Sequence, residues 1–320
     1  MMNPTVFWPA MLGVLILVVG IVTYRTDVAV PTSPGVLRFA ALGPVFVAAA
    51  LAAFAGEHFT AAASLARIVP KFMPAPLFIA YFVGVAHLAA AVSFVARRYV
   101  RVSSIGLALM FALFVLLMDL PAAITRAGVP MSWVLVARQA TFSIGGLALF
   151  AVVTTDSRPH ASATIATIAR LWTACVLVFY GIQNILFPQF SPGVPATMPT
   201  AAWVPAPHIV AYLTGALLVV CGLAMFVRTN AASAAAWAGV LMTVLTVALY
   251  VPQFFIAQTA PDQVNAINFI FDTLLFGGMM LIVAAAARLR TGAAETIRPP
   301  GVGAGLDRER RQLQSSAGLQ

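Results

Sequence analysis

The segment PAPLFIAYFVGVAHLAAAVSFVAR, from Pro74 to Arg97, reads as one membrane-crossing helix with a proline-rich entry and an arginine exit. Its apolar run is about 20 residues long, which matches a hydrocarbon core of roughly 30 Å. The pattern recurs as PAPHIVAYLTGALLVVCGLAMFVR, from Pro205 to Arg228, at a shift of 131 residues without a gap. Pro74-Ala75-Pro76, Ala80-Tyr81, Gly84 and Arg97 thus meet Pro205-Ala206-Pro207, Ala211-Tyr212, Gly215 and Arg228.

The correspondence extends in both directions. Pro121 meets Pro252 at the same shift of 131. Upstream, Phe54 and Gly56 meet Phe179 and Gly181 at a shift of 125, so the second copy has the longer loop. Downstream, Gly145-Gly146 meets Gly277-Gly278 at a shift of 132. Each copy holds four apolar spans, an even number, so both enter from the same side and are expected to be parallel repeats. The expected organisation is an N-terminal membrane helix in 1–30, a first four-helix repeat in 31–154, a second in 155–290 and a mobile basic tail in 291–320.

The rest of the chain fits this frame. Of 320 residues, 62% are hydrophobic and only 8% charged, with a mean hydropathy of +0.98. Soluble domains carry about 25% charged residues, so this surface is built for lipid. Nine apolar stretches are expected, starting near Thr5, Val36, Pro76, Val102, Ser132, Ile165, Pro207, Ala232 and Asn265. The first lacks the basic leader and small-residue cleavage site of a signal peptide and reads as a membrane helix. The fold class is therefore an all-α integral membrane protein with the bilayer as its main partner.

The net charge of +9 does not point to nucleic acid, because the basic residues sit in short loops between apolar spans and in the tail. The loops holding Arg25, Arg97, Arg98, Arg101, Arg158 and Arg228 alternate with loops holding only Arg67, Lys71 and Arg126 or no base. The positive-inside rule then predicts an external N-terminus and a cytoplasmic C-terminus in a plasma (inner) membrane. Cys175 and Cys221 lie inside apolar runs without a CxxC pair and read as small buried thiols.

Arg170-Leu171, the glycine of Phe179-Tyr180-Gly181, Phe187-Pro188 and the small-residue helix from Gly215 to Gly222, ending at Arg228, resemble the DoxX-like membrane family. The first copy repeats the theme at Phe54-Ala55-Gly56-Glu57-His58-Phe59 and from Tyr81 to Arg97. The resemblance implies four-helix units. It also implies an association with quinone-linked oxidation, with quinone as a diffusible co-substrate. The family often carries a glutamate in its second helix; here that helix offers His87 in one copy and no acid in the other.

Ionisable groups within hydrocarbon cost a few kcal/mol each and usually face a bundle interior or a wet cavity. Asp119, Arg138, Asp272 and His87 lie inside spans, and Glu57-His58 lies at a helix end; His87 stands alone on its helix and reads as packing rather than ligation. Asp119 and Arg138 flank a short loop and are expected to pair. Asp272 should share their depth, making these three the candidate catalytic centre with one carboxylate left over. Asn265, Asn268 and Asp272 share a helical face, as do Thr243, Thr246, Tyr250 and Gln253. Thr173, Tyr180, Gln183 and Asn184 form a third stripe. The expected substrate-binding set is Gln183, Asn184, Tyr250, Gln253, Asn265, Asn268, Glu57 and His58, lining an outward-facing cavity.

Glu57 and His58 are too few to hold a metal, and no hydrolase, phosphate-loop or zinc motif occurs. Three function classes follow: a quinone-linked redox component, a carrier or binder of a small lipidic or organic solute, and a structural subunit in which the polar stripes only glue helices. No haem-ligand pair or flavin motif is visible, so electrons would come from a diffusible carrier or a redox partner subunit.

Overall fold

The computed structural model describes residues 3–27, 35–194 and 198–296. Among them, nine helices are long and apolar enough to cross a membrane, and no strand forms. They are α1 (Pro4–Asp27), α2 (Gly43–Thr60), α3 (Pro76–Ala96), α4 (Val100–Ile124), α5 (Ser132–Thr154), α6 (Pro159–Leu186), α7 (Pro207–Phe226), α8 (Ala231–Ile256) and α9 (Ala260–Thr296). A 3-10 segment, Gly35–Leu42, leads into α2. The outer faces expose large apolar side chains, among them Phe78, Phe82, Leu109, Leu213 and Val247, as a lipid-facing surface does.

Two helices begin earlier than the apolar pattern implied. Helix α6 starts at Pro159, a residue preorganised for the first helical position. Helix α9 starts at Ala260 because Thr259 caps it: the Asp262 amide lies 3.3 Å from the Thr259 hydroxyl, which in turn bonds the Asp262 carboxylate at 2.6 Å. Helix α9 also runs on to Thr296, so residue 290 is not a helix end. Residues 297–320 of the expected tail lie outside the described residues.

Helices α2 and α9 form the centre. Helix α9 packs against α2, α5, α6 and α8, and α2 packs against α1, α3 and α9. A run of small side chains, Ala48 to Ala53 broken only by Leu51, lets α2 be enclosed on all sides. Where α2 crosses α9, a Cβ on Gly43 would lie 2.8 Å from the Gly278 carbonyl oxygen, so the two backbones touch. Helices α6 and α7 touch in the same way at Gly181 and Gly215. Arg170 reaches across this pair to donate to the Met225 and Phe226 carbonyls at 2.8 and 3.0 Å, satisfying the open end of α7.

Local conformations recur at fixed spacing. Ala75 and Ala206, each immediately before a helix-opening proline, are left-handed with φ of 50° and 47°. Helix α4 widens into a π turn over Val115–Asp119, and α8 does so over Thr246–Tyr250. In each the bond spans five residues, from Leu120 N–H to the Val115 carbonyl and from Val251 N–H to the Thr246 carbonyl. Pro121 and Pro252 explain both, because a proline has no N–H for the ordinary bond and its ring crowds the preceding turn. All these pairs are 131 residues apart.

The fourth helices keep that spacing. Gly146 packs on Ala108 as Gly277 packs on Gly239, again 131 apart, so Gly146 and not Gly145 is the counterpart of Gly277. The glycine doublet made a slip of one residue invisible in sequence. Upstream, Gly84 meets the His58 side chain as Gly215 meets that of Asn184, which corrects the upstream shift from 125 to 126.

Candidate functional site

The ionisable and amide side chains gather toward one end of the bundle. Glu57 and His58 close α2, Asp119 lies in the last turns of α4, Gln183 and Asn184 end α6, and Arg138 and Asp272 approach from the first halves of α5 and α9. The π turn places Asp119 at its last residue with only 8% exposure.

Arg138 Nη1 donates to Asp272 Oδ2, joining α5 to α9. The expected pairing was Asp119 with Arg138, because a short loop joins their helices; the long-range partner takes the guanidinium instead. Asp119 sits within the electrostatic reach of Arg138 without a hydrogen bond to it, and its Oδ2 is buried with no partner among the described residues. The carboxylate left over is therefore Asp119, and Asp272 is the one neutralised. Arg138 Nε is also unpartnered, so the guanidinium keeps a free donor at the centre.

A second layer surrounds this pair. Asn268 Nδ2 donates to Glu57 Oε1 at 3.0 Å, and Glu57 lies close enough to Asp272 to interact with its charge. Asp119 and Asp272 thus sit near one guanidinium, with Glu57 next to Asp272. Tyr180, close to both members of the ion pair, donates its hydroxyl to the Val134 carbonyl at 3.0 Å and stacks on Phe276. Thr141 accepts from Trp172 Nε1 at 3.0 Å, tying α5 to α6.

The rest of the sequence-expected set divides. Asn184 is spent on its own loop: Nδ2 donates to the Tyr180 and Gly193 carbonyls at 2.8 and 3.1 Å, and Oδ1 accepts from Gly193 N–H at 3.0 Å. Tyr250 donates to the Pro192 carbonyl and stacks on Phe269. These two side chains clasp the buried segment Ser191 to Val194 inside the bundle. Asn265 is exposed and does not join Asn268 and Asp272. Gln253 is half-buried in α8, and Gln183 is buried with Oε1 unpartnered. Thr243 and Thr246 turn back to carbonyls of their own helix, Gly239 and Met242, at 2.9 and 2.8 Å.

His87, read in sequence as packing, stands differently. It is 3% exposed, both ring nitrogens lack a partner, and its ring meets those of His58, Phe54 and Phe111 at 5.2, 6.2 and 6.0 Å. The signal in sequence was its isolation: one imidazole in an otherwise apolar span. Among the described residues no three metal-ligating side chains gather.

The class these features define is a polytopic, all-α membrane protein with an ionic centre inside its helix bundle. Comparison with known protein families, curated proteins and solved structures gave no match to this chain.

Proposed function

We propose that this chain is a DoxX-like membrane protein in which two parallel four-helix repeats enclose a site for a small lipid-phase molecule, and that the quinone–quinol couple is its substrate class. The observation that carries the reading is the ionic centre: Arg138 pairs with Asp272 through Nη1, while Arg138 Nε and a buried oxygen of Asp119 have no partner among the described residues. A carboxylate held this way inside a bilayer is expensive, and such groups mark substrate or proton pathways more often than they fill space.

Quinone becomes quinol by gaining two electrons and two protons. The carboxylates of Asp119 and Asp272 supply a place for the protons, and Arg138 Nε a donor for a quinone oxygen. Electrons would come from a separate donor through a redox partner subunit. Spacings 131 apart in the two π turns and the two left-handed alanines support the duplication.

Full-length protein in lipid nanodiscs should bind a short-chain quinone, followed by quenching of its tryptophans. Asp119→Asn should weaken binding about tenfold, the equivalent of about 1.4 kcal/mol. Equal affinity in the variant would remove Asp119 from the site, and absence of binding in the unaltered protein would reject the substrate class.

The basic loops support a cytoplasmic C-terminus, and with that orientation the centre would lie in the outer half of an inner membrane. A reporter fused after Arg290 should be active in its cytoplasmic form; activity only in the periplasm would invert the orientation.

A further inference from the structure

The two halves differ at one matched place. In the second half, Ser191 to Val194 are all buried between α6 and α8. Gly193, at φ 100°, lies against the side chains of Leu245 and Met242, and Asn184 and Tyr250 hold the Pro192 and Gly193 peptides by hydrogen bonds. The chain thus fills this position with its own backbone.

In the first half the corresponding loop, 61–75, is five residues shorter than 187–206. Only Ala62 of it is buried, and its two short helical turns pack on α3. The counterparts of the clasping residues are also changed. Asp119 stands where Tyr250 does and His87 where Leu218 does, both at the spacing of 131; His58 stands where Asn184 does, at 126. Phe111 and Phe114 replace Met242 and Leu245. The apolar and amide lining that suits a peptide has become aromatic and ionisable.

Among the described residues, those polar groups are left without protein partners. Asp119 Oδ2 and both His87 nitrogens are unpartnered, in side chains more than nine-tenths buried. His58 uses Nδ1 on the Phe54 carbonyl at 2.8 Å, which makes that nitrogen the donor and leaves Nε2 as an acceptor. A buried acceptor without a donor costs about 1–3 kcal/mol, a penalty that a ligand donor would relieve.

We infer that the first half holds a ligand where the second half holds its own loop: a flat, lipid-soluble aromatic molecule bearing a hydroxyl donor, bound between α2, α3 and α4. The aromatic body lies against Phe54 and Phe111, and the hydroxyl donates to a ring nitrogen of His87. This site requires neither a quinone nor any proton exchange, so it stands or falls separately from the substrate class proposed above.

The test uses 1-naphthol and its methyl ether, 1-methoxynaphthalene, with the full chain in nanodiscs and protein-free nanodiscs as the partition control. The unaltered protein should bind naphthol at least roughly tenfold more tightly than the ether, the size of one hydrogen bond to a charged or strongly polar acceptor. His87→Leu, which installs the residue of the second half, should abolish the preference. His58→Asn, read alongside it, should reduce the preference and serves if His87→Leu does not fold. Equal binding of the two probes by the unaltered protein would overturn the inference. So would a preference that survives in the folded variants.

Discussion

Replacing Arg138 by methionine should destabilise the protein by about 3–5 kcal/mol, because it strands Asp272 as an uncompensated charge in the bundle. Both side chains of the pair are largely enclosed, at 23% and 18% exposure, and among the described residues Asp272 has no other hydrogen-bond donor on its carboxylate. Asp119 loses its neighbouring positive charge at the same time. The pairing makes a second outcome specific. Arg138→Met combined with Asp272→Leu should recover most of the lost stability, since a well-packed apolar replacement of a buried ion pair is often neutral. Arg138→Met combined with Asp119→Leu should recover much less. Unfolding in mixed micelles, titrated with a denaturing detergent, measures all three. Equal rescue by the two double variants would show that Asp272 is not the partner that matters.

The second large effect concerns the crossing of α2 and α9. Gly278→Ala places a methyl 2.9 Å from the Gly43 carbonyl oxygen and from Val47 Cγ2, and 3.0 Å from Val47 N. Two of these three contacts are backbone atoms, which cannot turn aside, so the helices must separate. A loss of about 1–3 kcal/mol is expected from such overpacking. Gly106→Ala is the control on α4, where the added methyl has nothing within 4 Å. That change should be neutral or stabilise by up to about 1 kcal/mol through helix propensity. The same detergent titration reads the difference in sign. A Gly278→Ala protein as stable as the unaltered one would mean that this crossing is looser than its backbone contact indicates.

Much of the architecture was legible because membrane helices announce themselves by length and apolarity. The Pro-Ala-Pro entries and the prolines at 121 and 252 also mark, at a spacing of 131, places where the local conformations match. Those same prolines produce the π turns, but only coordinates show that the turns carry Asp119 and Tyr250 to matched, buried positions. Composition also brought Arg138, Asp119 and Asp272 to one centre, since charges in hydrocarbon seek each other. The choice of partner was not legible. Asp119 is near Arg138 in sequence and Asp272 is 134 residues away, and only the packing of α5 on α9 decides between them. The loop contacts of Asn184 were not legible for a similar reason: an amide near a helix end serves a ligand or a loop equally well. Its engagement with Gly193 depends on the path of the 187–206 loop. His87 was read as packing because a lone imidazole gives no sign of whether its nitrogens will find partners.

The ionic centre either holds helices together or takes part in binding, and one variant separates the two. Arg138→Met with Asp272→Leu removes both charges of the ion pair while keeping the packing, so stability and ligand affinity become independent readouts. The decisive measurement is the affinity of this folded double variant for a short-chain quinone in nanodiscs, taken together with its unfolding midpoint. The expected result is a near-normal midpoint with affinity reduced at least about tenfold, equivalent to about 1.4 kcal/mol or more. A double variant that keeps both its stability and its affinity would contradict a binding role for the centre and leave it as structural glue.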